Sequence, residues 1–224
     1  MYKRQNVVGA TLGQDALSTT LKAGVIGMII IGIIMLVIYR LPGFISVLAL
    51  IAYVVLTLLC LNGFNASLTL PGLAGIVLSI GMAVDANVII FTRIQEELGN
   101  GATVKSAIDA GFNKALSSIL DSNITTLIAA VVLYFMGVGT IKGFALTLGI
   151  GIVLSMFTAL VITKSLLKAA YTLGLQNPKL YGKKRDSKVR GYVKFSRIAY
   201  IISIVAIAAG LIALPVFKLS LIHI

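Results

Sequence analysis

Apolar residues in this chain run in long unbroken blocks, without the alternation of a half-buried strand. Residues 23–39 carry no charge and lie between Lys22 and Arg40. Residues 41–84 are also uncharged, long enough for two crossings, and break at the turn-rich Asn62-Gly63-Phe64-Asn65. Pro71 then suits the first turn of a new helix, where its missing N–H costs nothing. Residues 122–141, between Asp121 and Lys142, residues 143–163, and residues 198–217 complete the set. A bilayer crossing takes about 20 mostly apolar residues. The pattern therefore predicts six transmembrane helices, near 22–39, 44–62, 71–92, 118–137, 142–164 and 197–217. Lipid offers no partner to open backbone groups, so helices are the default, and no barrel-like alternation competes. The expected fold class is all-α, a polytopic transmembrane bundle.

Composition agrees. Of 224 residues, 58% are hydrophobic and 12% charged, with a mean hydropathy of +1.04. A soluble domain is about one quarter charged, so a water-soluble enzyme is excluded, and so is disorder. Cys60 and His223 are the sole residues of their types. A disulfide framework and a Cys/His metal site are thereby excluded. No catalytic residue, cofactor or metal is expected.

The net charge of +12 becomes informative once it is placed along the chain. With Arg40 inside, Arg93, Lys105, Lys114 and the run from Lys164 to Arg197 are inside too, making 14 Lys/Arg; five are outside, namely Lys3, Arg4, Lys22, Lys142 and Lys218. This bias runs the first helix from outside to inside. Nucleic acid is not an expected partner, because no basic face carries interleaved aromatics.

Between the third and fourth spans, Arg93-Ile94-Gln95-Glu96-Glu97-Leu98 extends the third helix inwards until Gly99-Asn100-Gly101 stops it. Val104, Ile108, Phe112 and Ala115 then recur at helical spacing. They predict an amphipathic helix on the bilayer or under the bundle, giving a cytosolic hairpin over 93–117. Residues 168–196 form a basic inner linker near anionic lipid. Gly143, Thr147, Gly151, Ser155, Ala159 and Thr163 repeat every four residues, the spacing of close helix packing. On an ideal helix that row drifts by about 40° per step, so it is expected to wrap around the helix instead of forming one seam. Gly24, Gly27, Gly32, Gly72, Gly75 and Ser79 read as packing positions too. Asn65-Ala66-Ser67 fits an outer glycosylation sequon. Residues 1–5 and 219–224 admit codons that are opposite strands of one oligonucleotide resembling a transposon-end adaptor. Both ends are expected to be foreign, with residues 6–21 a stub towards an outer domain.

Two acids stand out. Asp85 is flanked by apolar residues in Gly81-Met82-Ala83-Val84-Asp85-Ala86-Asn87-Val88-Ile89. A charge at mid-span costs roughly 2.5–3.5 kcal/mol even on insertion scales. Low dielectric favours the neutral form of a carboxyl group, so an acid placed there can load and unload a proton. The other reading is a buried acid bonding helices together. Asp121 opens Asp121-Ser122-Asn123-Ile124-Thr125-Thr126 near the inner end of its span. There it is either a second functional acid or a residue placed by the helix dipole at an N-terminus. Asn87, Asn123, Thr125 and Thr126 are the candidate hydrogen-bonding partners of Asp85.

These residues also carry a resemblance. Thr69-Leu70-Pro71-Gly72-Leu73-Ala74-Gly75, the Gly81–Asn87 motif, Phe91-Thr92-Arg93-Ile94-Gln95-Glu96-Glu97-Leu98, Ala107-Ile108-Asp109-Ala110-Gly111-Phe112 and Asp121–Leu127 resemble SecD over about residues 6–168. Thr92 departs from the pattern, which commonly has Glu there. SecD and SecF belong to the RND superfamily. The resemblance implies an RND-type membrane domain that assists preprotein export across the bacterial cytoplasmic membrane, driven by proton-motive force. The implied partners are the SecYEG channel, SecA, the remaining SecF portion, unfolded preprotein and membrane lipid. Asp85 matches the family's proton-coupling position, and Asp121 a motif position of less certain role. Val193-Lys194-Phe195 followed by the helix at 197–218 resembles the opening of SecF, which implies a fused SecDF parent. Two other functions share some of these features. An RND exporter of lipids or small molecules would use the same acid. An intramembrane aspartyl protease would pair Asp85 with Asp121, although Asp85 lacks the Gly-x-Gly-Asp context of such enzymes.

Overall fold

The computed structural model describes residues 10–64, 69–182 and 200–208. The described residues up to 182 form one helical unit, in which α1 (Ala10–Tyr39), α2 (Leu41–Gly63), α3 (Leu70–Gly99), α4 (Val104–Met136) and α5 (Thr140–Phe157) follow one another. A π turn at Thr158–Ile162 carries α5 into α6 (Thr163–Thr172), and a 3-10 turn closes the unit at Pro178–Tyr181. Among the described residues, five helices are long and apolar enough to cross a membrane: Ser18–Tyr39, Leu41–Gly63, Leu70–Gly99, Val104–Met136 and Thr140–Thr172. They coincide with the first five expected spans. The sixth, at 197–217, falls only partly on described residues. Residues 200–208 are helical and belong to a second unit, with Ile201, Ile204, Val205 and Ile207 exposed. The sequon, both termini and residues 183–196 of the 168–196 linker lie outside the described residues.

Local chemistry sets the helix ends. Pro42 and Pro71 lie in the opening turns of α2 and α3. Thr69 and Thr103 cap α3 and α4, accepting from Gly72 N at 3.1 Å and Ser106 N at 3.4 Å. Gly101 turns the α3–α4 corner at φ +91°, a left-handed conformation open to glycine. Between α1 and α2 there is a single residue, Arg40, at φ 54°.

Helix α3 packs against α1, α2, α4 and α5. It runs parallel to α5, and the small residues of the two helices meet. A Cβ on Gly75 would sit 2.6 Å from Thr147 Oγ1, and one on Gly143 would sit 2.6 Å from Thr69 Oγ1. A Cβ on Gly151 would run into Ser79. The row expected to wrap meets α3 at Gly143, Thr147 and Gly151, and burial continues at Ser155, at Ala159 in the π turn and at Thr163 of α6. An i, i+4 ridge is inclined to its own axis, and a partner lying along that ridge stays in register with it. Gly27, by contrast, has nothing among the described residues within 4 Å of its would-be Cβ.

The amphipathic stretch after Thr103 is not a separate helix. It continues into the membrane span as one helix from Val104 to Met136. No proline interrupts it, and its one glycine, Gly111, lets α4 close on α3: a Cβ there would lie 3.0 Å from Ile94 N. Val104, Ile108, Phe112 and Ala115 are buried with Ile90, Ile94, Leu167 and Tyr181 in one cluster. The stripe thus serves as core below the bundle, not as a bilayer-surface face.

Candidate functional site

Asp85 lies about 22 Å along α3 from Leu70, at a rise of about 1.5 Å per residue. Met82, Asp85, Ala86 and Ile89 of α3 face Ile119, Ser122, Asn123 and Thr126 of α4 across a cleft of about 220 Å³. Each set follows i, i+3, i+4, i+7 spacing, so each wall is one helix face. Asp85 is exposed towards this cleft, while Ala86 beside it is buried.

The opposite wall is polar and already partly committed. Asn123 Nδ2 donates to Ile119 O at 2.7 Å, Ser122 Oγ to Ile119 O at 3.3 Å, and Thr126 Oγ1 to Ser122 O at 3.0 Å. A hydroxyl has one proton to give. Ser122 and Thr126 spend theirs on their own helix and keep lone pairs, as does the Asn123 amide oxygen. The wall therefore keeps lone pairs on all three residues and one N–H of Asn123, so it can accept a hydrogen bond from a protonated carboxyl group. Among the described residues Asp85 has no ion pair.

The other expected residues are distributed differently. Asn87 is buried on the far side of α3, two residues and about 200° from Asp85. Its Nδ2 donates to Ala83 O at 3.3 Å and its Oδ1 has no partner. Thr125 donates to Asp121 O at 2.8 Å, and both residues are exposed. Asp121 does not line the Asp85 cleft. Nor does it stand at a helix N-terminus, since α4 begins 17 residues earlier and Thr103 caps it. So the structure gathers Asp85, Asn123 and Thr126, and leaves out Asn87, Asp121 and Thr125. Ser122 is the residue the sequence reading missed. Its i+4 spacing to Thr126 was the available signal.

Thr92, the departure noted above, donates to Val88 O at 2.8 Å and sits 3.1 Å from the Tyr39 hydroxyl. It ties α3 to the end of α1 and needs no charge to do so.

A multi-pass helical membrane domain with an acid-bearing cleft between α3 and α4 is the class these features define. A family described as "Protein export membrane protein SecD/SecF, C-terminal" matches residues 1–172, and the chain belongs to it. The chain is 51% identical over 178 residues to protein translocase subunit SecD of Acidaminococcus fermentans, covering 79% of this chain and 43% of that one. It is 44% identical over 170 residues to SecD of Pseudomonas aeruginosa, covering 76% and 27%. The crystal structure of SecDF, a translocon-associated membrane protein from Thermus thermophilus, superposes with a TM-score of 0.83 at 36% identity, over 90% of this chain and 28% of that one. The chain thus spans less than half the length of these relatives.

Proposed function

We propose that this chain is the membrane-domain part of a SecDF-type accessory subunit of the Sec translocase, promoting preprotein export across the bacterial cytoplasmic membrane. In this reading proton-motive force drives it, and Asp85 carries the proton. The observation behind this is the mid-span cleft, where one carboxyl faces Ser122, Asn123 and Thr126 and no basic residue. Protonation removes the charge that makes Asp85 costly in lipid, and the lone pairs of the facing wall can accept a hydrogen bond from it. Deprotonation calls for a new partner, and Asp85 is open on the side that the five helices leave uncovered. The remaining SecF portion supplies that partner. Asp121, outside the cleft, is a secondary acid at most. The basic stretch 168–196 joins this domain to a first SecF-like helix at 197–218, and SecYEG, SecA and unfolded preprotein are the wider partners. No step needs a catalytic residue, cofactor or metal.

The test is Asp85→Asn in the full-length parent. Export driven by the proton gradient should be lost while membrane insertion and assembly persist. Export at the parental rate would remove Asp85 from the mechanism.

A further inference from the structure

A second cleft, of about 170 Å³, lies between the start of α4 and α6, lined by Lys105, Ile108, Asp109, Lys168, Tyr171 and Thr172. Its depth follows from the chain. The uncharged stretch between Lys142 and Lys164 is about 32 Å long as a helix, matching a hydrocarbon core of about 30 Å. With Lys142 at one face and Lys164 at the other, Lys168 is about 6 Å further on, inside a headgroup layer about 5–7 Å thick. The basic-inside bias puts this layer in the inner leaflet.

The charges there do not balance. Lys168 Nζ pairs with Asp109 Oδ1 at 2.8 Å, with both side chains about half exposed. Lys168, by hydrogen bond and charge, then Lys164 and Lys105 by charge, hold the Asp109 carboxyl below the ordinary carboxylate range; Lys105 lies one helical turn before Asp109, and Lys164 one turn before Lys168. Lys164 also sits 5.5 Å from the centre of the Phe112 ring. The cluster has two positive charges in excess. On the membrane side of these charges along each helix, Phe157 and Val161 before Lys164 and Leu116 and Ile124 after Asp109 are exposed.

We propose that this cleft is a binding site for the phosphodiester of an inner-leaflet anionic phospholipid, with a hydroxyl-bearing headgroup of the phosphatidylglycerol type. Lys105 and Lys168 take the two non-bridging phosphate oxygens, since an ammonium has three protons and Lys168 spends one on Asp109. The free Asp109 oxygen repels a bare anion but accepts from a glycerol hydroxyl, which selects the headgroup. The acyl chains lie on the exposed apolar side chains above. A basic pocket at the inner ends of membrane helices is the general form of such sites.

The test uses native mass spectrometry of the purified full-length parent offered equal amounts of phosphatidylglycerol and phosphatidylcholine. The parent should retain phosphatidylglycerol about tenfold better, and Lys105→Gln/Lys168→Gln should bring the ratio near one. Lys142→Gln, on the outer side, should leave it at tenfold. Asp109→Asn, which keeps an acceptor and removes the repulsion, should raise retention two- to threefold, and this arm stands even if the double variant misfolds. An unchanged ratio in a folded double variant, or no preference in the parent, overturns the proposal. Displacement of the lipid by 10 mM inorganic phosphate assigns the site to a free anion and overturns it too.

Discussion

The Tyr53 hydroxyl donates a 2.7 Å hydrogen bond to Ser79 Oγ, and Gly151 of α5 closes over the pair. Three helices meet at this point. Ser79 passes its own proton to Ile76 O at 2.9 Å, so the chain of donors ends on backbone. A Cβ on Gly151 would come 3.0 Å from the Tyr53 oxygen as well as meeting Ser79. Gly151→Leu should therefore force α3 and α5 apart and destabilise the bundle by at least about 1–3 kcal/mol, the usual penalty of overpacking. Tyr53→Phe removes one hydrogen bond, worth about 0.6 kcal/mol between membrane helices. Thermal unfolding in detergent should rank the two variants in that order.

Gly111 makes the corresponding close approach at the inner end of the bundle. Its would-be Cβ meets Ile94 at backbone as well as side chain, and backbone has no rotamer to yield. Gly111→Leu should cost about 1–3 kcal/mol by overpacking, while Gly27→Ala, facing open space, should be neutral or slightly stabilising. Chemical unfolding of each variant against the parent is the measurement.

Arg40 holds φ 54° and ψ −114°, a conformation that Gly139 shares at the α4–α5 corner with φ 55° and ψ −120°. A side chain there carries strain of about 1–3 kcal/mol. In return the Arg40 Nη1 donates to Lys179 O at 2.9 Å. Arg40→Ala keeps the strain and loses the bond; Arg40→Gly loses both. The glycine variant should be more stable than the alanine variant by about 1 kcal/mol or more, read from thermal midpoints.

In the proposed proton cleft, Asn123→Leu and Thr126→Val should each lower proton-driven export in the full-length parent, whereas Thr125→Val and Asn87→Ser should alter it little through the cleft. Asp121→Asn should fall well short of the loss expected for Asp85→Asn. Vesicle export assays with and without a proton gradient separate these variants.

The spans were legible because a bilayer imposes one rule on every helix, a charge-free run about 20 residues long. Asp85 was legible because it breaks that rule. What escaped was orientation around each helix. Asn87 and Asp85 are two residues apart and read as one polar pair, yet they face opposite ways. Thr125 and Thr126 are neighbours, and one lines the cleft while the other does not. The stripe from Val104 to Ala115 showed its apolar face, but not that Leu167 and Ile94 would cover it. Such facts belong to pairs of helices, and a single hydropathy pattern does not contain them.

Those buried residues under the bundle have a further consequence. Ile94, Ile108, Phe112, Leu167 and Tyr181 form a core at the level of the inner headgroups and the water beyond them. Around Gly75 and Gly151 the surroundings are lipid. The first region is held by the hydrophobic effect, which urea weakens and cooling weakens too. The second is held by close contact and hydrogen bonds, because lipid is as apolar as a leucine side chain. One continuous set of helices thus answers to two solvents. Mild urea should loosen the lower end first, with the membrane seam still closed.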